Sequence, residues 1–151
     1  METQIDIDAP AETVWRTLVD FDGYDRESWN IYIRSIDGTL QKGQKVKAVV
    51  TPLELPRMVI RATLSASDFP ELRWAVKLLF PGIVHAQHYF RLESLTSSST
   101  RLIHGERVSG ALGRAFFPLV RKSRSGFIVF NEALKKKAET AHQEASRPSL
   151  S

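Results

Sequence analysis

The chain has 151 residues, of which 42% are hydrophobic and 25% are charged, as in an ordinary globular protein with a core of its own. The absence of cysteine excludes disulfides and thiolate metal sites. The first residues show no basic stretch followed by an apolar segment, and no apolar run reaches the roughly 18 residues of a membrane helix. We therefore expect a cytoplasmic protein without a transmembrane segment.

The net charge of +4 is concentrated near the carboxyl end of the chain. Residues 113–147 contain eight Lys or Arg and three Glu, which is +5, so the rest of the chain sums to −1. A basic segment of this kind is most often the solvated face of a helix. Binding to nucleic acid or to an anionic membrane surface is the less favoured alternative, since no aromatic residues alternate with the basic ones for base stacking.

The chain begins with a short predicted strand, from Thr3 to Asp8, in which Ile5 and Ile7 share a face. Pro10 opens a helix, and the polar stretch 20–28 predicts a turn and a second short helix. Alternating apolar and polar residues then predict six strands, at 31–37, 44–51, 57–67, 71–79, 83–95 and 100–109. The short loops between them, at 52–56, 81–82 and 96–99 among others, indicate an antiparallel meander.

Residues 113–145 have the helical spacing of a long amphipathic helix with a broad aromatic stripe. Pro118 predicts that the helix starts or kinks there, and Gly126 would allow the close approach of sheet backbone or ligand. The fold class is therefore α+β: a curved antiparallel sheet of about seven strands wrapped around a long C-terminal helix, with two short helices after the first strand. We expect one domain at 1–145, a cavity between sheet and helix, and a disordered tail at 146–151.

Several stretches resemble the START-like (helix-grip) superfamily, and in particular the bacterial polyketide cyclase/dehydrase-like (SRPBCC) proteins. The matching stretches are IDIDAPAETVWRTLVDFDGYDRESWNIYI, RWAVKLLFPGIVHAQHYFRLE, STRLIHGERVSG and GFIVFNEALKKKAE, which span nearly the whole chain in the right order. The resemblance implies a helix-grip fold with a deep cavity. It implies no particular reaction, because members of the superfamily range from enzymes to carriers.

Three polar residues form the candidate catalytic group, on the same face of two neighbouring strands. If the hairpin loop pairs Leu92 with Leu102, then Phe90 faces His104 and His88 faces Glu106, with Cβ atoms about 5 Å apart. A His–Glu pair in an apolar cavity would be ionised or strongly hydrogen-bonded. We favour a structural pair; ligand recognition, and then catalysis or divalent metal binding, are the alternatives.

The candidate ligand-binding residues are those that the alternation and the helical stripe turn towards the interior: Trp74, His88, Phe90, His104, Glu106, Phe116, Val120, Phe127 and Asn131. Asn131 and Ser123 are the polar members of the helix face and therefore candidate donors to a ligand. An aromatic stripe is more often plain core than the wall of a ligand site. It is the breadth of the helix face that favours a cavity here.

Phosphate-binding glycine loops, dinucleotide fingerprints and nucleophile elbows are all absent from the sequence, so we expect neither hydrolase nor nucleotide chemistry. The favoured interpretation of the polar residues includes no cofactor and no metal. The favoured function is binding or transport of a hydrophobic small molecule such as a lipid, a polyketide or an aromatic compound. The first alternative is a cyclase or dehydratase that uses His88, His104 and Glu106, and whether the protein is an enzyme stays open, with binding favoured. The second is a protein-interaction or co-chaperone-like domain. The oligomeric state is not predicted.

Overall fold

The computed structural model describes residues 1–51, 56–78 and 83–147. It contains seven strands and four helices in the order β1 (Glu2–Ile7), α1 (Ala11–Val19), α2 (Phe21–Glu27), β2 (Ile33–Asp37), β3 (Lys45–Val50), β4 (Met58–Asp68), β5 (Glu71–Leu78), β6 (Val84–Thr96), β7 (Ser99–Ser109), α3 (Gly113–Lys122) and α4 (Arg124–Ala145). The predicted loop 52–56 and the predicted turn 81–82 lie wholly or mostly outside the described residues, as do residues 148–151 of the predicted tail.

All neighbouring strands are antiparallel, in the order β1-β7-β6-β5-β4-β3-β2, and the sheet curls into a half-barrel. The meander from β2 to β7 follows from the short loops, and β1 closes the sheet by pairing with β7. Irregular registers between β2 and β3, β4 and β5, and β6 and β7 add curvature, because a bulge bends its strand. The predicted α+β helix-grip architecture is confirmed.

The two short helices each begin at a residue that accepts hydrogen bonds from the backbone amides of the first helical turn. The carbonyl of Pro10 accepts hydrogen bonds from the amides of Thr13 (2.9 Å) and Val14 (3.1 Å), which starts α1. The carboxylate of Asp20 caps α2 by accepting a hydrogen bond from the Gly23 amide at 3.2 Å. α1 then packs on α4 and also contacts β6 and β7.

The core lies where α4 crosses the concave face of the sheet. Phe127, Phe130, Leu134 and Ala138 follow the helical repeat and are all fully buried. Burying a large apolar side chain of this kind stabilises the fold by roughly 1.5–3 kcal/mol. This part of the interior is therefore filled by side chains.

The predicted long C-terminal helix is confirmed as α4, but its predicted continuity over 113–145 is wrong, because Ser123 divides that stretch into α3 and α4. The Ser123 amide bonds to the carbonyl of Val120, three residues back, at 3.0 Å. Serines at 123 and 125 and the glycine at 126 are weak helix formers. The break lets α3 pack on β7 while α4 packs on β1 and α1. A helix start at Pro118, one of the two predicted alternatives, is wrong, because Pro118 is the sixth residue of α3.

Gly126 allows a close approach, but the approaching group is the Tyr32 ring and not the sheet backbone or ligand that was predicted. A Cβ atom added to Gly126 would lie 2.2 Å from Cε2 of Tyr32. Because Tyr32 directly precedes β2, this contact seats the first turn of α4 against the start of that strand.

Candidate functional site

A cavity of about 410 Å³ lies between the concave face of the sheet and the α3–α4 junction. Its wall is mainly apolar and draws on six strands, with Val120 and Ser123 closing it on the helical side. The apolar lining residues are Ile33, Ala48, Val50, Met58, Val59, Ile60, Trp74, Val76, Val84, Ala86, Val108 and Val120. The cavity thus lies beneath α3 and the break at Ser123, while the fully buried face of α4 fills the neighbouring core.

Besides Arg61, four polar side chains line this wall, and we call these four the polar patch: Tyr32, His88, Glu106 and Ser123. His88 and Glu106 are directly opposite each other on β6 and β7. Tyr32 reaches the same cavity from the stretch before β2, and Ser123 reaches it from the junction of α3 and α4. A mostly apolar wall with a few placed polar groups is the usual make-up of a small-molecule site.

A chain of hydrogen bonds runs from the polar patch back through the wall to β1. Nε2 of His88 lies 2.8 Å from Nε2 of His104, and Nδ1 of His104 lies 2.7 Å from Oδ1 of Asn131. Nδ2 of Asn131 donates to the hydroxyl of Thr3 at 3.1 Å, and that hydroxyl donates to the carbonyl of His104 at 3.1 Å. β6, β7, α4 and β1 therefore each contribute one member.

Aromatic rings hold the two imidazoles in place. The ring of His104 is sandwiched between Phe127, at 4.0 Å and nearly parallel, and Phe90, at 4.3 Å. The ring of His88 stacks on Trp74 with centroids 5.0 Å apart. Of the two imidazoles, only that of His88 lines the cavity; His104 is fully buried behind it.

Both histidines are neutral because their surroundings disfavour the charged form. Burial lowers the pKa of His88 to about 3. Burial, together with the neighbouring ring of His88, holds the pKa of His104 well below its ordinary value, although the hydrogen bond to Asn131 acts in the other direction. Two cationic rings joined at 2.8 Å would repel each other, which agrees with a neutral pair.

The remaining groups of the polar patch are shifted towards their neutral forms as well. Burial raises the pKa of Glu106 to about 7, so this carboxyl changes charge near neutral pH. Burial, and secondarily the Glu106 carboxylate, raise the pKa of Tyr32, which keeps its hydroxyl protonated. The charged groups of the cavity wall are therefore the Arg61 guanidinium and one carboxyl group, that of Glu106, which titrates near neutral pH.

The predicted register is confirmed, since Leu92 pairs with Leu102, Phe90 with His104 and His88 with Glu106. The predicted His–Glu hydrogen bond is wrong. The imidazole of His88 bonds to His104 instead, because Asn131 fixes His104 from behind and leaves its Nε2 directed at His88. In the described part of the chain, the Glu106 carboxyl has no hydrogen-bond partner.

The candidate ligand-binding residues divide into two groups. Those that line the cavity are Trp74, His88, Glu106 and Val120, together with Ser123. Those buried behind the wall are Phe90, His104, Phe127 and Asn131. Phe116 lies in α3, and its side chain is outside the described part of the structure.

Two members of the site were not predicted from the sequence. Tyr32 belongs to the predicted strand 31–37, without a predicted role, whereas in the structure it precedes β2, which begins at Ile33. Thr3 reaches Asn131 only because β1 pairs with β7, with Thr3 opposite His104. The small residue at Gly126 was the one available signal that a large ring packs there.

Within residues 1–51, 56–78 and 83–147, no three His, Asp or Glu side chains converge on a position that would hold a metal ion. In the same ranges, no helix is both long enough and apolar enough to cross a membrane.

Comparison with known proteins identifies the class to which this fold and cavity belong. The family described as polyketide cyclase / dehydrase and lipid transport matches residues 1–139. The chain therefore belongs to that family, within the START-like SRPBCC proteins. No protein with a curated function matches the chain.

Solved structures with the same fold include both enzymes and a protein described only by its superfamily. A START superfamily protein from Mycobacterium smegmatis superposes with a TM-score of 0.70 at 16% identity, covering 93% of this chain and 97% of the other. The Zhui aromatase/cyclase from Streptomyces sp. R1128 gives 0.65 at 18% identity, covering 98% of each chain. Norcoclaurine synthase from Thalictrum flavum gives 0.66 at 10% identity, covering 93% and 94%. At these identities the similarity establishes the fold alone.

Proposed function

We propose that this protein binds a hydrophobic small molecule in the cavity beneath α3. The observation that carries the proposal is the cavity itself, about 410 Å³ of space with a mainly apolar wall. Binding sites for small molecules are typically about 300–1,000 Å³ and have this kind of lining. The family includes lipid transport in its description, which agrees with a carrier function. The cavity gives no support to the alternative of an interaction domain whose cavity is vestigial.

A cavity-filling substitution tests this proposal. Val108 lines the cavity, whereas Arg107 is exposed on the opposite face of β7. We expect Val108→Phe to weaken the binding of α-naphthol by about tenfold or more, because the added ring occupies the space of the ligand. Arg107→Phe is the matched control and should bind as the unmodified protein does. Binding is measured by isothermal titration, and the fold of each variant by circular dichroism.

Extraction provides an independent check. Native mass spectrometry of the freshly purified protein, followed by organic extraction, should show an apolar molecule that is lost in Val108→Phe. If α-naphthol bound equally well to both variants, the ligand would be outside this cavity and the proposal would fail.

A cyclase or dehydratase activity is the second candidate function, and Glu106 is the observation that favours it. A general base is most effective when its pKa is near the working pH, and the pKa of Glu106 is raised to about 7. In an aldol-type ring closure, Glu106 would take a proton from a carbon beside a ketone, and the carbon–carbon bond would form at a second carbonyl. The new alkoxide would then recover that proton from Glu106. His88, whose pKa is lowered to about 3, is too weak a base for this step.

Proton exchange tests the first half of this reaction without knowledge of the substrate. β-Tetralone in heavy water exchanges the hydrogens beside its carbonyl, and nuclear magnetic resonance follows the rate. We expect the protein to accelerate this exchange and Glu106→Gln to reduce the acceleration by about 10²-fold or more while β-tetralone still binds. Glu93→Gln, at an exposed carboxylate of β6, is the control. Equal rates with and without the protein would leave binding as the function.

A further inference from the structure

We propose that Asn131 sets the ligand preference of the cavity, by fixing the two histidines so that Nδ1 of His88 accepts a hydrogen bond from a hydroxyl group of an otherwise apolar ligand. This inference rests on the proposed binding function. It assigns Asn131 the role of a positioning residue, since His104 and His88 separate it from the ligand. The ligand class is an apolar alcohol or phenol, as distinct from an ether or a ketone of the same shape.

The orientation of the Asn131 amide follows from its two neighbours. The Thr3 hydroxyl gives its only hydrogen to the carbonyl of His104, so it must receive a hydrogen from Asn131. The NH₂ group of Asn131 therefore faces Thr3, and its carbonyl oxygen faces Nδ1 of His104. Asn131 is only 3% exposed, so water does not compete for these positions.

The protonation of both rings follows from that orientation. A carbonyl oxygen only accepts, so His104 carries its proton on Nδ1 and, being neutral, has a lone pair on Nε2. Nε2 of His88, 2.8 Å away, must then be the donor. A neutral His88 with its proton on Nε2 has a lone pair on Nδ1. Asn131 thus determines, two side chains away, which nitrogen of His88 is free to accept.

The free nitrogen is open to the cavity. Nδ1 of His88 makes no hydrogen bond within the described ranges. It is also not among the buried side-chain atoms that lack a partner, which belong to Trp29, Glu71, Arg73 and Ser125. Because His88 lines the cavity and stacks on Trp74, its ring cannot turn away without losing that contact. A bound ligand therefore meets an acceptor at this point of the wall.

A ligand with a hydroxyl group at this point satisfies the acceptor, whereas an ether covers it without offering a hydrogen. Leaving one buried polar group unpaired weakens binding by about tenfold or more. Asn131→Leu removes the carbonyl oxygen that accepts a hydrogen bond from Nδ1 of His104. The tautomer of His104 is then no longer fixed, because its proton can be on either nitrogen. The preference for a hydroxyl group should weaken with it.

The test compares α-naphthol with its methyl ether, which have nearly the same apolar surface. In the unmodified protein we expect α-naphthol to bind about tenfold more tightly than the ether. In Asn131→Leu we expect this ratio to fall to about two or less, chiefly through weaker binding of α-naphthol. Equal affinities in the unmodified protein, or a full preference retained in Asn131→Leu, would overturn the inference.

A spectroscopic readout separates positioning from simple structural support. The nitrogen chemical shifts of isotopically labelled imidazoles report which ring atom carries the proton. We expect His104 protonated on Nδ1 and His88 on Nε2 in the unliganded protein, and a mixture of tautomers for both in Asn131→Leu. A proton on Nδ1 of His88 in the unmodified protein would overturn the inference even if no ligand bound. Failure of both probes to bind, with the expected tautomers present, would count against the binding function instead.

If Asn131→Leu does not fold, Thr3→Val tests the same chain of hydrogen bonds at its other end. It removes the hydroxyl that orients the amide, and Thr3→Ser keeps that hydroxyl as the matched control. We expect Thr3→Val to lower the ratio of affinities and Thr3→Ser to preserve it. The same ratio in both variants would contradict a role for this hydrogen-bond chain.

Discussion

Glu106 is the residue of the cavity whose charge changes near neutral pH. It lies across from His88 on the neighbouring strand, and burial raises the pKa of its carboxyl to about 7. Covering a neutral carboxyl with an apolar ligand costs little desolvation free energy. A carboxylate loses its hydration when an apolar molecule covers it, and this costs much more. The affinity of the cavity for apolar molecules should therefore depend on pH through this one group.

We expect the methyl ether of α-naphthol to bind up to about tenfold more weakly at about pH 8 than at about pH 6, because the binding-competent neutral form of Glu106 falls to about a tenth. Isothermal titration at several pH values measures the effect. Glu106→Gln, which stays neutral throughout, should remove the pH dependence. A slope that persists in Glu106→Gln would assign the effect to another group.

The break between α3 and α4 is the element that shapes the cavity. On one side of it α3 packs on β7 and places Val120 over the cavity, and on the other side α4 packs on β1 and places Phe127 in the filled core. The contact between Gly126 and the Tyr32 ring holds the start of α4 in position at this break. Tyr32 also belongs to the cavity wall, so the same side chain takes part in the packing of α4 and in the polar patch.

Gly126→Ala tests the close approach. The added methyl group would overlap the Tyr32 ring at 2.2 Å, and overpacking of this kind costs about 1–3 kcal/mol of the free energy of unfolding. Gly113→Ala is the matched helical control, since its nearest neighbours would be 3.6 Å away, and it should be neutral or slightly stabilising. Urea unfolding measures both. Equal stability of the two variants would show that Tyr32 can move aside without cost.

The parts of this structure that could be predicted from the sequence are those that local patterns determine. The short loop after β6 and the alternation around Leu92 and Leu102 were enough for the register that places His88 beside Glu106. The partner of His88 could not be found in this way, because it depends on Asn131, which approaches from a different element. The break at Ser123 was missed since a one-residue interruption leaves the helical period of the apolar face almost unchanged.

For the molecule as a whole, the buried titratable groups act on stability in opposite directions. His88 and His104 have lowered pKa values, so between about pH 6.5 and the pKa of the folded state the unfolded chain binds more protons, and stability falls as the pH falls. Glu106 has a raised pKa, so between about pH 4.5 and 7 the folded chain binds more protons, and stability rises as the pH falls. As the pH falls from about 7 to about 5, the loss of stability from the two histidines is larger than the gain from the single carboxyl.

We therefore expect the free energy of unfolding to decrease by about 1–2 kcal/mol between about pH 7 and pH 5, because two protons favour the unfolded chain and one favours the folded chain. Glu106→Gln removes the opposing contribution, so its decrease over the same range should be larger, about 3–4 kcal/mol. Glu93→Gln, at an exposed carboxylate of β6, is the control and should behave as the unmodified protein. Urea unfolding at the two pH values measures all three. An equal decrease in Glu106→Gln and in the unmodified protein would mean that Glu106 is already ionised in the folded state over this range, and the pH dependence of ligand binding argued above would fail with it.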